Sequence, residues 1–422
     1  MKKSIFLFLI TFQLNLIGQN ENPMVNLNDI PKIMKHSKPT KIEKIYALNS
    51  SQRETNLCLT PDGRYLYFMS DRGGQSWSIK SGTFKSKIRY DGDIWYSENI
   101  NGIWQKAKCL NSTINSGTGE DEPNITPDGQ KMYFQSWKNG WESSGGPYYV
   151  ATKYNNVWTS PVGLGDSINK YFKDMYYPHY YYATDGMAIS PNEQIFIVAA
   201  GYDYEGPMDL YISFKKGKKW TYPRLMNIST SKDERSVFIA ADNKTIFFSS
   251  DAYNGFGGLD IYTCQLDKKG NCYGVKNIGE PFNTKGDDYS FKVTADGKTA
   301  YYVLDGDIYY AAFENDEFNL YPTTIVSGYI KDCNQTPLET DITLKNKYNQ
   351  FILSFKSDNT GYFSFVMPDT TGIFNMFKYN DNIYTLSLSK KNITNSISTN
   401  IKYCKNQNQS NNQNNNSAAK QE

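Results

Sequence analysis

Short apolar runs separated by turn residues recur along most of the chain and predict β-strands joined by tight hairpins. Gly accepts a positive φ and Asp bonds the turn backbone, so Asp-Gly between two apolar runs favours a hairpin. Three such turns, at 60–63, 126–129 and 295–297, and two variants without glycine, at 190–193 and 241–243, follow one another at intervals of 66, 64, 50 and 54 residues. An aromatic strand follows each turn, as at 65–68.

The remaining parts of the pattern keep the same order in each copy. An acidic residue precedes the first strand, and the third strand opens on Asp-Ile-Tyr or a variant of it, as in Asp260-Ile261-Tyr262. Four short antiparallel strands in about 50–65 residues are the size of one propeller blade, and radially arranged blades protect one another's edges. We therefore expect an all-β protein with a five-bladed β-propeller over residues 41–322. Residues 42–47 would pair with the last blade and close the ring.

An insertion at residues 166–182 interrupts the third copy, so a sixth blade is the alternative. After Pro322 the repeat ends, and three strand-and-turn units are followed by a hairpin with a strongly alternating return strand. This pattern predicts a small β-sandwich over residues 326–404. Residues 405–422 are rich in Asn, Gln and Ser, a composition typical of a disordered tail.

The N-terminus has the pattern of a secretory signal peptide: Lys2-Lys3, a short apolar run and a small residue at Gly18. We assign residues 1–19 to this signal and 20–40 to a linker. The apolar run is too short for a permanent transmembrane anchor, and no later segment is apolar enough to span. The sequence therefore predicts an exported protein of the periplasm or cell envelope, associated with the outer membrane.

Charge and composition argue against several classes of function. The chain has 45 basic and 43 acidic residues, which argues against a nucleic-acid binder. The two histidines, His36 and His179, make a Ser-His-Asp triad or a multi-His metal site improbable. No cofactor, metal or catalytic residue is predicted.

Six cysteines fit an oxidising compartment. Cys264 and Cys272 flank a predicted hairpin turn, and Cys333 and Cys404 lie near the two ends of the predicted sandwich, so these are the candidate disulfides. Six cysteines allow fifteen pairings, and buried free thiols remain the alternative.

An acidic residue recurs eight positions before each turn Asp, at Glu54, Glu120, Glu234 and Asp288. In a propeller this residue begins the innermost strand, so the four carboxylates are candidates for an acidic ring at one channel mouth that attracts a basic peptide or a cation. The alternative is structural: each carboxylate accepts backbone N–H bonds where its strand starts.

The insertion contains the aromatic residues Tyr176, Tyr177, His179, Tyr180, Tyr181 and Tyr182. Tyrosine offers flat apolar area and a hydroxyl at low entropic cost, which suits protein or glycan recognition. The alternative is that these rings pack between blades.

The blade pattern resembles the PD40, or WD40-like, repeat of TolB-like propellers and of many Bacteroidota envelope proteins. Residues 249–262, Ser-Ser-Asp through Gly-Phe-Gly-Gly-Leu-Asp-Ile-Tyr, carry the resemblance most clearly. Residues 326–404 look like a carboxypeptidase regulatory-like sandwich, a domain that implies a spacer or interaction module. Such chains often end in an OmpA-like domain; none follows here, so peptidoglycan binding is not supported.

The resemblance implies a non-enzymatic envelope protein whose propeller binds another envelope protein. The alternative is a glycan-binding module or hydrolase that uses the channel mouth. A clustered acid–base set in a pocket would discriminate between the two.

Overall fold

The computed structural model describes residues 30–84, 86–137, 147–176, 183–202, 206–368, 372–378, 381–388 and 396–403. Almost all secondary structure in these residues is β-strand, with one α-helix at Asp166–Tyr176. No helix in this part of the chain has the length and apolar character needed to cross a membrane.

Five sheets, antiparallel except for one added strand in the fourth, follow one another along the chain, and we number them 1 to 5. Sheet 1 contains Glu54–Leu59, Tyr65–Ser70, Asp93–Ile100, Ile103–Trp104 and Lys108–Cys109. Sheet 2 contains Glu120–Ile125, Lys131–Ser136, Tyr148–Tyr154, Val157–Trp158 and Val162–Gly163. Sheet 3 contains Ala183–Ile189, Ile195–Gly201, Met208–Lys216, Lys219–Trp220 and Arg224–Leu225.

The last two sheets also take a strand from the N-terminal region. Sheet 4 contains Glu234–Ile239, Thr245–Ser250, Asp260–Leu266, Cys272–Asn277 and Lys32–Ile33. Sheet 5 contains Tyr289–Val293, Thr299–Leu304, Asp307–Ala312 and Lys41–Lys44. A small hairpin, Lys80–Phe84 with Lys87–Tyr90, projects between the second and third strands of sheet 1.

Lys41–Lys44 pairs antiparallel with Asp307–Ala312, as expected for a strand that closes a ring. Part of the segment predicted as a linker also adds a strand, because Lys32–Ile33 pairs parallel with Cys272–Asn277. The N-terminal region therefore joins two sheets that lie more than 200 residues away along the chain.

The first strand of each sheet carries a bulge at the same position, where its register with the second strand shifts. The bulge residues have positive φ values between 51° and 76°, and they are Asn56, Glu122, Gly186, Ser236 and Ser290. A bulge leaves backbone groups of the strand without ladder partners. Those groups are therefore free to bond to the neighbouring first strand.

Bonds at the bulges join neighbouring sheets. The Asn56 N–H donates to Ser290 Oγ (2.7 Å), and the Ser290 N–H donates to Ser236 Oγ (2.8 Å). The Gly186 N–H donates to Glu122 Oε1 (2.8 Å).

Side-chain pairs next to the bulges complete the circle, Arg235 with Asp185 and Asn56 with Asp121. The five first strands thus surround a common axis, and the fold is β-propeller-like. We call the end of this axis at which the first strands begin the channel mouth.

The insertion in the third repeat is helical where the structure describes it. Ile168 and Phe172 of helix Asp166–Tyr176 are fully buried, and the Phe172 ring packs edge-on against Tyr211 at 5.4 Å. Over residues 166–176 the insertion is therefore a helix packed on sheet 3 and adds no sixth sheet.

Two further sheets follow sheet 5 and share one hydrophobic core. The first contains Thr323–Asp332, Tyr362–Pro368 and Ser396–Tyr403, and the second contains Asp341–Asn346, Phe351–Lys356, Gly372–Lys378 and Asp381–Leu388. We call this pair of sheets the C-terminal unit.

The C-terminal unit lies against the hairpin turns at one end of the ring. The Tyr362 hydroxyl donates to Asp62 Oδ2 (3.0 Å), and the Lys356 N–H donates to Asp128 Oδ2 (2.8 Å). Thr323 and Thr324, which begin the C-terminal unit, are buried, whereas Tyr321 and Pro322 directly before them are exposed.

The bulge at Gly186 yields the first prediction. A Cβ there would lie 2.5 Å from the Ser236 backbone nitrogen, at a φ of +76°. We expect Gly186→Ala to lower the free energy of unfolding by about 2–3 kcal/mol, from backbone strain and a clash that the ring cannot relax. Denaturant unfolding followed by circular dichroism measures this change.

Gly217→Ala is the matched control. Gly217 also has a positive φ (+62°), but no atom lies within 4 Å of its added Cβ. The Gly217→Ala variant therefore has the backbone strain of a positive φ but no steric clash at its Cβ. Equal destabilisation by both substitutions would contradict a role for close packing at Gly186.

Candidate functional site at the channel mouth

The structure places the four proposed ring carboxylates, Glu54, Glu120, Glu234 and Asp288, in the protein interior. Each carboxylate accepts hydrogen bonds of 2.5–3.1 Å from the N–H and the hydroxyl of a residue four positions earlier. These donors are Ser50, Ser116, Thr230 and Thr284. The geometry is that of the structural alternative, a carboxylate that fixes the loop leading into its strand.

Burial also changes the ionisation of two of these carboxylates. Burial raises the pKa of Glu234 to about 8 and that of Asp288 to about 6, despite the bonds that Thr230 and Thr284 donate. Glu54 instead pairs with Arg72 (2.8 Å), whose guanidinium lies 4.5 Å over the Trp95 ring. The four carboxylates thus present no charged ring to solvent, and their role in ligand binding stays a prediction.

The channel mouth is formed instead by the residues one position further along each first strand, because successive strand residues alternate between faces. These residues are Thr55, Asp121, Asp185, Arg235 and Tyr289. All except Thr55 are partly exposed. Sequence reasoning missed this set, although the run Glu120-Asp121-Glu122 was a signal that more than one carboxylate gathers at the strand start.

Arg235 connects two acidic residues at the mouth. Its Nη1 lies 3.1 Å from Asp185 Oδ2 on the neighbouring first strand, and its Nη2 pairs with Asp233. Asp233 in turn accepts the Met208 N–H (3.1 Å). The guanidinium therefore holds the Asp185 carboxylate in a fixed orientation.

Asp121 has a different environment. Its Oδ1 accepts bonds from Asn56 Nδ2 (2.7 Å) and the Glu122 N–H (2.8 Å). Burial raises the pKa of Asp121 to about 6, and the negative charge of Asp185 acts in the same direction. Asp121 and Asp185 are thus two interacting carboxyl groups on adjacent strands with different partners.

On the side of the mouth formed by sheet 1, two arginines, Arg53 and Arg89, pair with Asp71. Asp71 is buried and accepts the Arg53 N–H (2.9 Å) and Arg89 Nε (2.6 Å). Burial raises the pKa of Tyr289, whose ring lies on the first strand of sheet 5. The mouth therefore presents guanidinium, phenol and carboxyl groups together, within hydrogen-bonding networks that fix several of them.

The aromatic insertion is described only in part. Tyr176 ends the helix, while Tyr177, His179, Tyr180, Tyr181 and Tyr182 lie outside the described residues. A binding role for these six residues stays a prediction.

Cys264 and Cys272 are joined by a disulfide across neighbouring strands of sheet 4. Cys404 lies outside the described residues, so the Cys333–Cys404 pairing stays a prediction. Cys58 and Cys109 are free thiols. Within the described part of the chain, no three His, Cys, Asp or Glu residues are placed to hold a metal ion.

No family model matches the sequence, and no curated protein is significantly similar to it. The resemblance to PD40 repeats and to a carboxypeptidase regulatory-like domain therefore stays a prediction. Solved structures with a similar fold do exist.

Three of these structures illustrate the likeness. Hydrazine synthase from Kuenenia stuttgartiensis is 15% identical with a TM-score of 0.32, and the match covers 58% of this chain and 60% of that chain. A gluconolactonase from Xanthomonas campestris is 11% identical with a TM-score of 0.36, covering 69% and 96%. An oligogalacturonate lyase from Vibrio parahaemolyticus is 8% identical with a TM-score of 0.32, covering 63% and 68%.

At such low identities and TM-scores, these likenesses concern the propeller-like fold alone. They nevertheless correct one expectation, because the matching structures are enzymes. The expectation of a non-enzymatic interaction scaffold is contradicted by this finding, although the likeness assigns no activity to this chain.

Glu54 yields the second prediction. Removing one partner of a buried ion pair leaves an uncompensated charge, so Glu54→Gln should lower the free energy of unfolding by about 3 kcal/mol. Urea unfolding at pH 7 measures this loss. Glu43→Gln is the control, because the Glu43–Lys41 pair is solvent-exposed and should leave the unfolding midpoint unchanged. Similar midpoints for the two variants would show that the Glu54–Arg72 pair is not structurally important.

Proposed function

We propose that the channel mouth is an acid–base site and that the protein is a hydrolase acting on a glycan. One observation carries the proposal: Asp121 and Asp185 occupy equivalent positions on adjacent strands but have different hydrogen-bond partners. Pairs of carboxyl groups whose environments differ are the arrangement that divides acid from base in glycoside hydrolysis.

The surroundings support distinct roles for the two groups. With a pKa of about 6, Asp121 is protonated in part near neutral pH and can give its proton to a leaving oxygen. Asp185, held by Arg235, would be the carboxylate that attacks the sugar carbon or takes a proton from water. Tyr289 and Arg53 would donate hydrogen bonds to sugar hydroxyls.

We also propose the finer architecture that the sheets suggest. The ring of five first strands supports a five-bladed propeller, and the shared core of the C-terminal unit supports a β-sandwich. Export to the periplasm or envelope rests on the N-terminal sequence pattern and the paired Cys264 and Cys272.

The third prediction tests the chemistry. Purified protein is incubated with neutral and acidic polysaccharides, and the release of reducing ends is measured from pH 4 to 9. We expect activity to fall as the pH rises through about 6, because the acid form of Asp121 is then lost. Asp121→Asn should lower kcat by about 10²–10⁴-fold and remove the decrease in activity around pH 6.

Asp209→Asn is the matched control, because burial also raises the pKa of Asp209 to about 6, but this residue lies on the third strand of its sheet. Its pH profile should equal that of the wild type. Circular dichroism checks that both variants fold. Glycan binding without any release of reducing ends, or an active and unaltered Asp121→Asn variant, would overturn the proposal.

A further inference from the structure

A second cavity lies away from the channel, between sheets 1 and 2. It has a volume of about 650 Å³, within the range of small-ligand sites. One wall is strand Asp93–Ile100 with the loop that follows Trp104, and the other is the hairpin formed by Tyr148–Tyr154 and Val157–Trp158. We call this cavity the inter-sheet cleft.

Aromatic rings form much of the cleft. The Tyr65 and Tyr67 rings lie 6.3 Å apart, and Tyr67 stacks on Tyr96 at 5.6 Å with an interplanar angle of 22°. Trp158 contributes from the opposite wall. Tyr65 and Tyr96 are partly exposed, whereas Tyr67 and Trp158 are buried behind them, so the exposed ring surface of Tyr65 and Tyr96 is what the C–H face of a sugar would meet.

The cleft is lined by more positively than negatively charged side chains. Its lining contains three lysines, Lys106, Lys108 and Lys153, and one carboxylate, Glu98. Glu98 is already engaged, because it accepts bonds from Arg64 Nε and the Tyr65 hydroxyl, both at 3.2 Å. The cleft therefore has a net positive charge and favours an anionic ligand.

Lys153 is the cleft lysine that lies against the aromatic wall. Its Nζ lies 4.7 Å from the centre of the Trp158 ring, and Lys153 forms no salt bridge within the described part of the chain. Burial lowers its pKa to about 8, and the positive charge of Arg64 adds to this effect.

Three carboxylates face Lys153 from neighbouring elements, Asp358, Asp128 and Glu98, and they oppose the lowering only in part. Lys356 also approaches, because its Nζ donates to the Lys153 carbonyl oxygen (2.9 Å). The ammonium group of Lys153 thus lacks a close anionic partner, which a ligand carboxylate would provide.

We propose that the inter-sheet cleft binds an acidic saccharide, with a sugar ring on the tyrosine faces and a uronic carboxylate at Lys153. The amides of Gln105 and Asn111 line the cleft and would bond the sugar hydroxyls. This site is separate from the channel mouth and does not depend on acid–base chemistry there.

The fourth prediction uses two ligands that differ only in charge, cellotetraose and the cellouronic tetrasaccharide in which each hydroxymethyl is a carboxylate. Isothermal titration calorimetry at pH 7 should show at least tenfold tighter binding of the acidic ligand. Binding requires the protonated amine, so affinity should fall as the pH rises through about 8, while the ligand stays ionised.

Lys153→Met should weaken binding of the acidic ligand and reduce its preference over the neutral one, because Lys106 and Lys108 remain, and Lys153→Arg should retain the preference. Lys218→Met is the control for loss of a lysine, because Lys218 is exposed and lies outside the cleft. Asp121→Asn should bind the acidic ligand like the wild type, so failure at the channel mouth and failure here are distinguishable.

Two results would overturn the proposal: equal affinity of wild-type protein for the two tetrasaccharides, or unchanged binding by a folded Lys153→Met variant. If Lys153→Met does not fold, the ligand comparison and the pH dependence of the wild type decide the question. Affinity that is independent of pH between 7 and 9 would count against Lys153 as the anion partner.

Discussion

The bulge in each first strand is the constraint on which the ring depends. If the first strands paired with one another through a regular backbone hydrogen-bond ladder, they would form one continuous barrel. A residue with positive φ instead interrupts each first strand and turns its backbone groups toward the neighbouring sheet. Asn56, Ser236 and Ser290 then bond sheet to sheet, and Gly186 lets two backbones approach more closely than any side chain would permit. Five separate sheets are held around one axis by these few contacts.

The same constraint divides the polar residues of the first strands into two groups. The residue that starts a strand is buried and fixes a loop, as Glu234 does with Thr230. The next residue lies on the axial side, where Asp121 and Asp185 belong to different sheets yet interact. Chemistry at the mouth therefore arises where sheets meet, because no single repeat contains both carboxyl groups.

Contacts between sheets also create the inter-sheet cleft. Tyr67 and Tyr96 come from sheet 1, while Lys153 and Trp158 come from sheet 2. The C-terminal unit contributes to the same region, since Tyr362 lies under the Arg64 guanidinium at 4.6 Å. Partial burial between these elements lowers the pKa of Lys153, and no carboxylate of the described residues forms a salt bridge with it.

The sequence by itself determined the repeat, the strands and the turns, because these depend on local backbone preferences. Gly63, Gly129 and Gly297 occupy left-handed turn positions, and Lys41–Lys44 closes the ring as its place before the first repeat indicated. It did not reveal helix Asp166–Tyr176 in the aromatic insertion, whose buried face is defined by its packing against sheets 2 and 3.

The tertiary structure decided which polar residues are available for chemistry. From the sequence, Glu120 and Asp121 were equivalent acids at a strand start, and Lys153 was one of many lysines. Their roles depend on partners in other sheets, Asn56 and Asp185 for Asp121 and the Tyr65 ring for Lys153. A repeat pattern fixes the local conformation of each strand, but burial and charge at a residue are set by groups that lie tens of residues away in the chain.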